Sequence, residues 1–238
     1  MTTPLPFTDQ SRPLLYGWTD FVEYETAYQW QLRLHQARVK KRIGDCFLML
    51  THVPVYTAGT RTSPEHLPSP ETLRRYGARL CRSDRGGSIT YHGPGQLVGY
   101  GIVDLTRLNC DVHRYVRLLE EAILRVLGFY GVTGRRDPRH TGVWVGRAKI
   151  ASIGIKIVHR VTMHGFALNV RNSLNPLHEI APCGLAEVEM TSLATLCTTA
   201  PPEQEVADRM ISHLARLLGY SHGRRCSVRF MLQASSTQ

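Results

Sequence analysis

The 238-residue sequence predicts an α+β fold in which helices pack on a mixed, largely antiparallel sheet. Segments with the apolar pattern of strands outnumber those with the pattern of helices. The two kinds of segment do not alternate regularly, as they would in a doubly wound parallel sheet. In addition, two runs centred on Ile153 and Leu168 alternate apolar and polar residues and follow each other closely, which indicates neighbouring antiparallel strands.

Apolar periodicity predicts the elements along the chain. Apolar residues recur at steps of three and four after Asp20 and after Asp111, and an aspartate is suited to cap a helix. Short apolar runs bounded by proline and glycine indicate strands, and Pro202 suits the first position of a last helix. In order, we predict a helix over about 20–42, a strand over 46–51, a loop over 52–59, an irregular connection over 62–70, strands over 78–82 and 97–103, a helix over 111–130, a turn at Gly146, strands over about 151–157 and 166–170, and a helix over 202–217.

Length and composition are typical of one globular domain. A chain of 238 residues can bury a substantial core without disulfides or metals, so we expect a single domain over 1–238. The first 15 residues and the tail after about residue 225 are expected to be peripheral. No window approaches the ~18 uninterrupted apolar residues of a membrane span. The start, MTTPLPFTDQSRPL, does not have the pattern of a secretory signal or a transit peptide. We therefore expect a cytoplasmic protein that does not associate with membranes.

The formal net charge of +10 favours an acidic partner. Charge alone is compatible with nucleic acid, an anionic lipid surface or an acidic protein. The arginines are spread along the chain without interleaved aromatic residues, which favours a solvated basic surface, and we expect no nucleic acid partner. The six cysteines include no CxxC pair and are widely scattered, so reduced thiols are expected rather than disulfides or a zinc site.

Residues 85–96, RGGSITYHGPGQ, form the segment richest in glycine. A P-loop needs Gly-Lys-Ser/Thr before a helix, and no lysine lies near; the dinucleotide fingerprint also fails, because Gly95 is followed by Gln96 and a strand. Two interpretations stay open. The segment is either a tight turn without a ligand, or a place where backbone approaches a bulky ligand while Tyr91 and His92 supply polar contacts.

Cys183 differs from the other cysteines because it stands between Pro182 and Gly184, which indicate a loop. A cysteine on a loop can react, whereas one in an apolar strand is expected to be inert; a purely structural role is the alternative. Only the thiolate attacks, so a nucleophilic cysteine needs a cation or base beside it. A lysine ammonium lowers the pKa of a neighbouring thiol and can shuttle a proton. The candidates for this neighbour are His92, His140, His164 and Lys149.

Three segments, taken together, resemble the signature blocks of the lipoyl(octanoyl) transferases. They occur in the order of that family and over more than half of the chain. Members of the family share the fold of biotin and lipoate protein ligases, so the resemblance implies that fold here. The blocks are RGGSITYHGPGQLVGY (85–100), AKIASIGIK followed by HGFALNV (148–156 and 164–170), and APCGLAEVEMTSL (181–193), with a weaker fourth in HVPVYTAG (52–59), where Val53 replaces a frequent proline.

The resemblance implies roles for particular residues. It assigns the acyl-accepting cysteine to Cys183 and the essential lysine to Lys149. The acyl substrate would contact three segments of the chain. These are Arg85, Gly86, Gly87, Ser88, Ile89, Thr90, Tyr91 and His92; then Ser152, Ile153 and Gly154; and finally Gly165, Phe166 and Ala167.

The resemblance also implies an enzyme with a defined donor and acceptor. It would transfer an octanoyl group from octanoyl-acyl carrier protein, through a cysteine thioester, to a lysine ε-amine. The acceptors would be the lipoyl domains of 2-oxoacid dehydrogenase E2 subunits and the glycine cleavage H protein. Exchange of a thioester for an amide is downhill, so neither ATP nor a cofactor or metal is expected, and a monomer is expected. Three alternatives stay open: an ATP-dependent ligase on the same fold, a basic nucleic-acid-binding protein and a cysteine hydrolase.

Overall fold

The computed structural model describes residues 13–108, 110–180 and 188–235. Strands and helices follow one another without regular alternation, as the α+β prediction requires. In chain order they are β1 (Leu14–Val22), α1 (Tyr24–Val39), β2 (Cys46–His52), β3 (Val55–Ala58), a 3₁₀ turn (Pro64–His66), α2 (Pro70–Tyr76), β4 (Arg79–Arg82), β5 (Ile89–His92), β6 (Gln96–Ile102), α3 (Val112–Phe129), β7 (Arg135–Arg136), β8 (Val143–Val145), β9 (Ala148–Val158), β10 (Val161–Asn169), α4 (Asn175–His178), α5 (Leu193–Leu196), α6 (Glu203–Leu217), β11 (Gly223–Cys226) and α7 (Val228–Ala234).

The main sheet has eight strands within these ranges, in the order β11-β1-β2-β6-β10-β9-β8-β7. Strand β1 runs parallel to both of its neighbours, and every other adjacent pair is antiparallel. A second sheet of three strands has the order β4-β3-β5. The prediction of a mixed, largely antiparallel sheet with packed helices is confirmed.

Helices cover both faces of the main sheet. Helices α3 and α6 pack on one face, where Leu119 and Met210 meet Phe47 of β2 in one apolar cluster. Helix α1 packs on the other face, where Leu34 meets Leu48 of the same strand in a second cluster. Because β2 is covered on both sides, all seven of its residues are buried, and each fully buried leucine or phenylalanine contributes about 1.5–3 kcal/mol.

The helix predicted from Asp20 begins four residues later than expected. Asp20 lies in β1, where its carboxylate accepts a hydrogen bond from the Thr51 hydroxyl at 3.1 Å, and it caps no helix. Helix α1 starts at Tyr24 after Glu23, whose side chain makes no capping bond. The aromatic spacing suggested a helix, but pairing of this segment with β2 decides its conformation, since ladder hydrogen bonds outweigh local propensity. Asp111 does cap α3, accepting from the Arg114 N–H at 2.8 Å, as predicted.

Two elements were not predicted: one lies within the predicted loop, and the other begins where the predicted irregular connection ends. Strand β3 occupies the middle of the predicted loop over 52–59, because it pairs with β4 on one side and β5 on the other. Helix α2 begins at Pro70, the last residue of the predicted irregular connection, with the Ser69 hydroxyl accepting from the Thr72 N–H at 3.0 Å, and it ends before Gly77, which has the left-handed conformation. The Ser-Pro start and the glycine stop are both helix signals that a count of prolines concealed.

The C-terminal residues complete one edge of the main sheet. Strand β11 pairs in parallel with β1, and α7 contacts both β1 and α1 through buried Met231. Among the described residues, no helix combines the length and the apolar character needed to cross a membrane.

Candidate active site

A narrow cleft opens on the α1 face of the main sheet, between the chain that leads into β5 and strands β6, β9 and β10. Its open volume is about 50 Å³, well below the ~300 Å³ at which ligand pockets usually begin. Three predicted substrate segments from distant parts of the chain meet there. The lining comprises Arg85, Gly86, Gly87, Ser88, Ile89, Thr90, His92, Ser152, Ile153, Gly154, Gly165, Phe166 and Ala167 together with Tyr24, Val98, Tyr100 and His164.

One predicted substrate residue, Tyr91, does not line the cleft. Its ring packs against Tyr56 at a centroid separation of 5.1 Å, in a small cluster beside α4. Strand alternation turns it away, since its neighbours Thr90 and His92 face the cleft. Four lining residues were not predicted as substrate contacts. Val98 and Tyr100 lie at the end of the first signature block, and His164 is the first residue of HGFALNV in the second block. Tyr24 lies outside every block, so nothing in the sequence indicated that it belongs to the site.

Two glycines bring the walls of the cleft together. A Cβ at Gly154 would lie 2.7 Å from the carbonyl oxygen of Gly86, so a side chain there would push the loop off β9. The Gly86 N–H donates to the Ile155 carbonyl at 3.0 Å and closes the loop onto the strand. A Cβ at Gly165 would collide with the backbone of Gly99, so this glycine permits the close approach of β10 and β6.

Arg85 holds the glycine-rich loop in place. Its Nη2 donates to the Thr57 carbonyl at 2.6 Å and to the Thr57 hydroxyl at 2.9 Å, while Nη1 donates to the Gly86 carbonyl at 3.2 Å. These bonds tie the loop to β3. The guanidinium therefore positions the wall of the cleft.

His92 and His52 lie buried beside the cleft with rings 5.7 Å apart. Burial lowers the pKa of His92 to about 3 and that of His52 to about 4. His92 Nδ1 donates to the Gln96 amide oxygen at 2.7 Å, and His52 Nδ1 donates to the Val22 carbonyl at 2.7 Å, which leaves His52 Nε2 to accept from the Tyr100 hydroxyl. Both rings are neutral near pH 7, so neither supplies a cation for a thiolate.

His164 is also buried, and it is bound to a carboxylate. Its Nε2 lies 2.7 Å from Asp84 Oδ1, and Asp84 Oδ2 also accepts from Lys156 at 2.6 Å and from the Tyr28 hydroxyl at 2.8 Å. The hydrogen bond from His164 holds the pKa of Asp84 well below its usual range. Burial lowers the pKa of His164, so a neutral ring that donates through Nε2 is favoured.

Lys149 is buried at the start of β9, with 2% of its surface exposed. Its backbone N–H donates to the Glu189 carbonyl at 2.7 Å, and its carbonyl accepts from the Thr191 N–H at 3.0 Å. Its Nζ lies 5.5 Å from the centre of the Trp144 ring, and a Cβ at Gly142 would lie 2.8 Å from its Cε. Most lysines lie on the solvated surface of a protein, but Lys149 does not. His140, another candidate for this role, has its ring 6.3 Å from that of Trp144.

Cys183 lies outside the described residues, as do residues 181–187 as a whole. Lys149 is bound to residues 189–191, which follow Cys183 by six to eight positions in the sequence. The other five cysteines are free thiols, and burial raises the pKa of Cys81 to about 12 and shifts that of Cys46 in the same direction. These two are thus poor nucleophiles, as their apolar strands predicted. Within the described ranges, no three His, Cys, Asp or Glu side chains are grouped as a metal site requires.

Comparison with known proteins assigns the chain to a family. The family model described as lipoyl protein ligase A/B catalytic domain matches residues 23–215. The octanoyltransferase of Chloroflexus aggregans is 46% identical over 200 residues, covering 82% of this chain and 90% of that protein. That of Thermobifida fusca is 44% identical over 222 residues, covering 89% and 92%. The chain therefore belongs to the lipoyl protein ligase A/B catalytic family, in its octanoyltransferase branch. It is an acyltransferase.

Solved structures show the same fold at low sequence identity. A bipartite lipoate protein ligase from Thermoplasma acidophilum is 15% identical with a TM-score of 0.70, over 95% of this chain and 94% of that one. A biotin protein ligase from Aquifex aeolicus is 11% identical with a TM-score of 0.54, over 87% and 70%. The predicted fold of the biotin and lipoate protein ligases is confirmed.

Proposed function

We propose that this protein transfers an octanoyl group from octanoyl-acyl carrier protein to a lysine ε-amine of lipoyl domains, through a thioester on Cys183. The acceptors would be the lipoyl domains of 2-oxoacid dehydrogenase E2 subunits and the glycine cleavage H protein. The observation that carries the proposal is that three distant segments form one narrow cleft, and that strand β9, which lines this cleft, also carries the buried Lys149. A single catalytic domain over 1–238, a monomeric state and a cytoplasmic location remain predictions.

Lys149 would control protonation in both half-reactions. Its ammonium stabilises the Cys183 thiolate, which attacks the donor carbonyl and expels the carrier's thiolate, and the same group protonates that leaving thiolate. The acceptor amine then attacks the Cys183 thioester and passes its surplus proton to the lysine. The product is an amide, and Cys183 leaves as the thiolate beside the re-formed Lys149 ammonium, which restores the starting state. Backbone N–H groups would stabilise the oxyanion of each tetrahedral intermediate.

The cleft would hold the hydrocarbon chain. Burying the six methylenes of an octanoyl group at ~0.8 kcal/mol each contributes about 5 kcal/mol, which suffices to favour a chain of this kind over a short acyl group. The open volume of about 50 Å³ is too small for the whole chain, so the lining of the cleft would have to move apart when an acyl chain binds.

Intact-mass measurement tests the covalent step. After incubation with octanoyl-acyl carrier protein, the wild-type chain should gain one octanoyl group in a hydroxylamine-labile bond. The adduct should be absent from Cys183→Ser and form far more slowly in Lys149→Ala. Cys197→Ser, which alters a partly exposed thiol outside the cleft, is the matched control and should be acylated normally. An unmodified wild-type chain under single-turnover conditions would contradict the proposal.

The three alternatives give different products in the same assay. An ATP-dependent ligase would modify a lipoyl domain when supplied with ATP and free octanoate, without a thioester on Cys183. A cysteine hydrolase would release octanoate and leave the acceptor unmodified. A nucleic-acid-binding protein would bind DNA or RNA in a strongly salt-dependent manner and form no adduct.

A further inference from the structure

The cleft has an inner end that lies away from Lys149. Along β9, Ser152 is three residues from Lys149 and Ile155 is six, so at about 3.3 Å per residue they lie about 10 and 20 Å away. In the ladder with β10, Ala167 pairs with Ser152 and His164 pairs with Ile155. Ser152 and Ile155 are thus about 10 Å apart, roughly the length of an extended eight-carbon chain, so an acyl group with its carbonyl at the Ser152 end, the end nearer Lys149, would point its tail toward His164.

The backbone closes the cleft at this inner end. The Gly86 N–H bonds to the Ile155 carbonyl at 3.0 Å. One residue further along β9, the Lys156 ammonium lies 2.6 Å from the carboxylate of Asp84, which precedes Gly86 by two residues. The tail of a bound chain would meet the hydrogen-bonded backbone and this ion pair, whose side chains are about one-third exposed.

The imidazole of His164 is held in this wall from several sides. Its Nε2 donates to Asp84, its ring stacks on Tyr28 at 5.9 Å, and the Tyr100 ring meets it edge-on at 6.2 Å. The backbone of His164 has a φ of +60°, and its N–H donates to the Gln31 side chain at 2.8 Å. Such a conformation is costly for a residue other than glycine, and costly conformations of this kind concentrate at functional sites.

The second ring nitrogen of His164 indicates which chemical group could bind at this end of the cleft. Its Nδ1 is buried and has no hydrogen-bond partner among the described residues, and the same holds for the Ser88 hydroxyl in the lining of the cleft. In the neutral ring the one N–H is on Nε2 and binds Asp84, so Nδ1 presents a lone pair. Hydrocarbon against a buried acceptor leaves it unsatisfied, whereas a donor would satisfy it.

We propose that His164, positioned by Asp84, is the specificity-determining end wall of the cleft: it limits all-carbon acyl chains in length and accepts a hydrogen bond from a chain that carries a donor at its tail. This inference rests on the proposed function, because it needs an acyl chain in the cleft. It names a further class of substrate, acyl groups with a terminal hydroxyl, and a residue that discriminates among chains without touching the reacting carbonyl.

Two pairs of donors test the wall in the wild-type protein. Octanoyl and decanoyl thioesters of acyl carrier protein measure the length limit. Nonanoyl and 8-hydroxyoctanoyl thioesters have chains of equal length in non-hydrogen atoms and differ only in the terminal group. The hydroxylated chain should be transferred with a kcat/KM about tenfold above that of the nonanoyl chain, the factor expected for one net hydrogen bond. Equal values for these two chains overturn the proposal.

Removal of the imidazole should abolish both preferences. His164→Gly relieves the left-handed backbone and shortens the wall, so the decanoyl-to-octanoyl ratio of kcat/KM should rise about tenfold and the preference for the hydroxyl should vanish. The matched control is His159→Gly, which relieves a φ of +50° at an exposed turn and should leave both ratios unchanged. If His164→Gly does not fold, His164→Asn also tolerates the left-handed region and shortens the wall.

The outcomes separate this inference from the proposed function. A wild-type protein that transfers octanoyl groups while the His164 variants keep wild-type ratios overturns the end wall alone. A wild-type protein that transfers no acyl group overturns the proposed function, whatever the variants do. If His159→Gly also changes the chain-length ratio or the hydroxyl preference, the effect comes from backbone strain, and this result also overturns the role of the imidazole.

Discussion

The carbonyl oxygen of Gly86 lies where a Cβ on Gly154 would approach it to 2.7 Å, so at this point the glycine-rich loop and β9 leave no room for a side chain on the strand. Gly154→Ala should push the glycine-rich loop away from β9 and so displace one wall of the cleft. We expect kcat/KM for octanoyl transfer to fall about tenfold or more, since small displacements of a binding wall are costly to catalysis.

A matched substitution distinguishes this effect from a general loss of stability. Gly44→Ala places its methyl group in open space, with no atom within 4 Å. It should leave kcat/KM and the midpoint of thermal unfolding unchanged. Wild-type kinetics in Gly154→Ala would show that the contact between loop and strand does not shape the cleft.

The buried histidines predict how stability depends on pH. Burial lowers the folded-state pKa of His92 to about 3 and that of His52 to about 4, while the unfolded chain binds these protons near pH 6.5. Between these values the unfolded state binds more protons, so the free energy of unfolding should fall as the pH drops from about 6.5 toward 4. At pH 5 each histidine should contribute about 2 kcal/mol to this loss.

Denaturant unfolding at pH 8 and pH 5 measures this dependence. His92→Gln should show a loss smaller by about 2 kcal/mol between the two pH values, because one of the two buried imidazoles no longer titrates. Stability at pH 8, where both rings are neutral in either state, gives the structural cost of the substitution. A loss as large as that of the wild type would refute the assignment of His92 as a buried neutral ring.

The sequence predicted those elements whose local pattern agrees with their tertiary setting. Asp111 and the apolar stripe after it define α3, and the alternation around Ile153 and Leu168 defines β9 and β10. The predicted start of α1 was wrong, because the aromatic residues after Asp20 have the spacing of a helix although this segment belongs to β1 and pairs with β2. Pairing of this kind joins residues far apart in the chain, and no local window contains it.

The candidate site was predictable as far as the signature blocks reach. The blocks identified nearly every residue that lines the cleft, but they gave no sign that Tyr91 turns away or that Tyr24 of α1 contributes. The partnership of His164 with Asp84 also escaped prediction, since 80 positions separate the two residues in the sequence. The sequence alone did not show that the 85–92 segment folds over β9 and β10.

The cap of α3 makes a separate prediction about stability. Asp111 accepts a hydrogen bond from the Arg114 N–H at 2.8 Å, in the geometry of a helix N-cap. Asp111→Ala should lower the free energy of unfolding by about 1 kcal/mol, because an orphan N–H of the first turn loses its partner. Asp111→Asn keeps an acceptor and should cost less. Equal losses in the two variants would show that the charge, and not the hydrogen bond, stabilises this end of the helix.

The net charge of +10 makes a prediction about the proposed donor, octanoyl-acyl carrier protein. If an acidic carrier protein is steered to this basic chain, the apparent KM for octanoyl-acyl carrier protein should rise severalfold between 50 and 500 mM salt, because the Debye length falls to only a few ångströms at high ionic strength. An uncharged donor, the octanoyl thioester of N-acetylcysteamine, experiences no steering and serves as the control. Its KM should stay constant over the same range. A KM for the carrier-bound donor that is equally insensitive to salt would mean that recognition depends on contacts in the cleft and owes nothing to the charge of the surface.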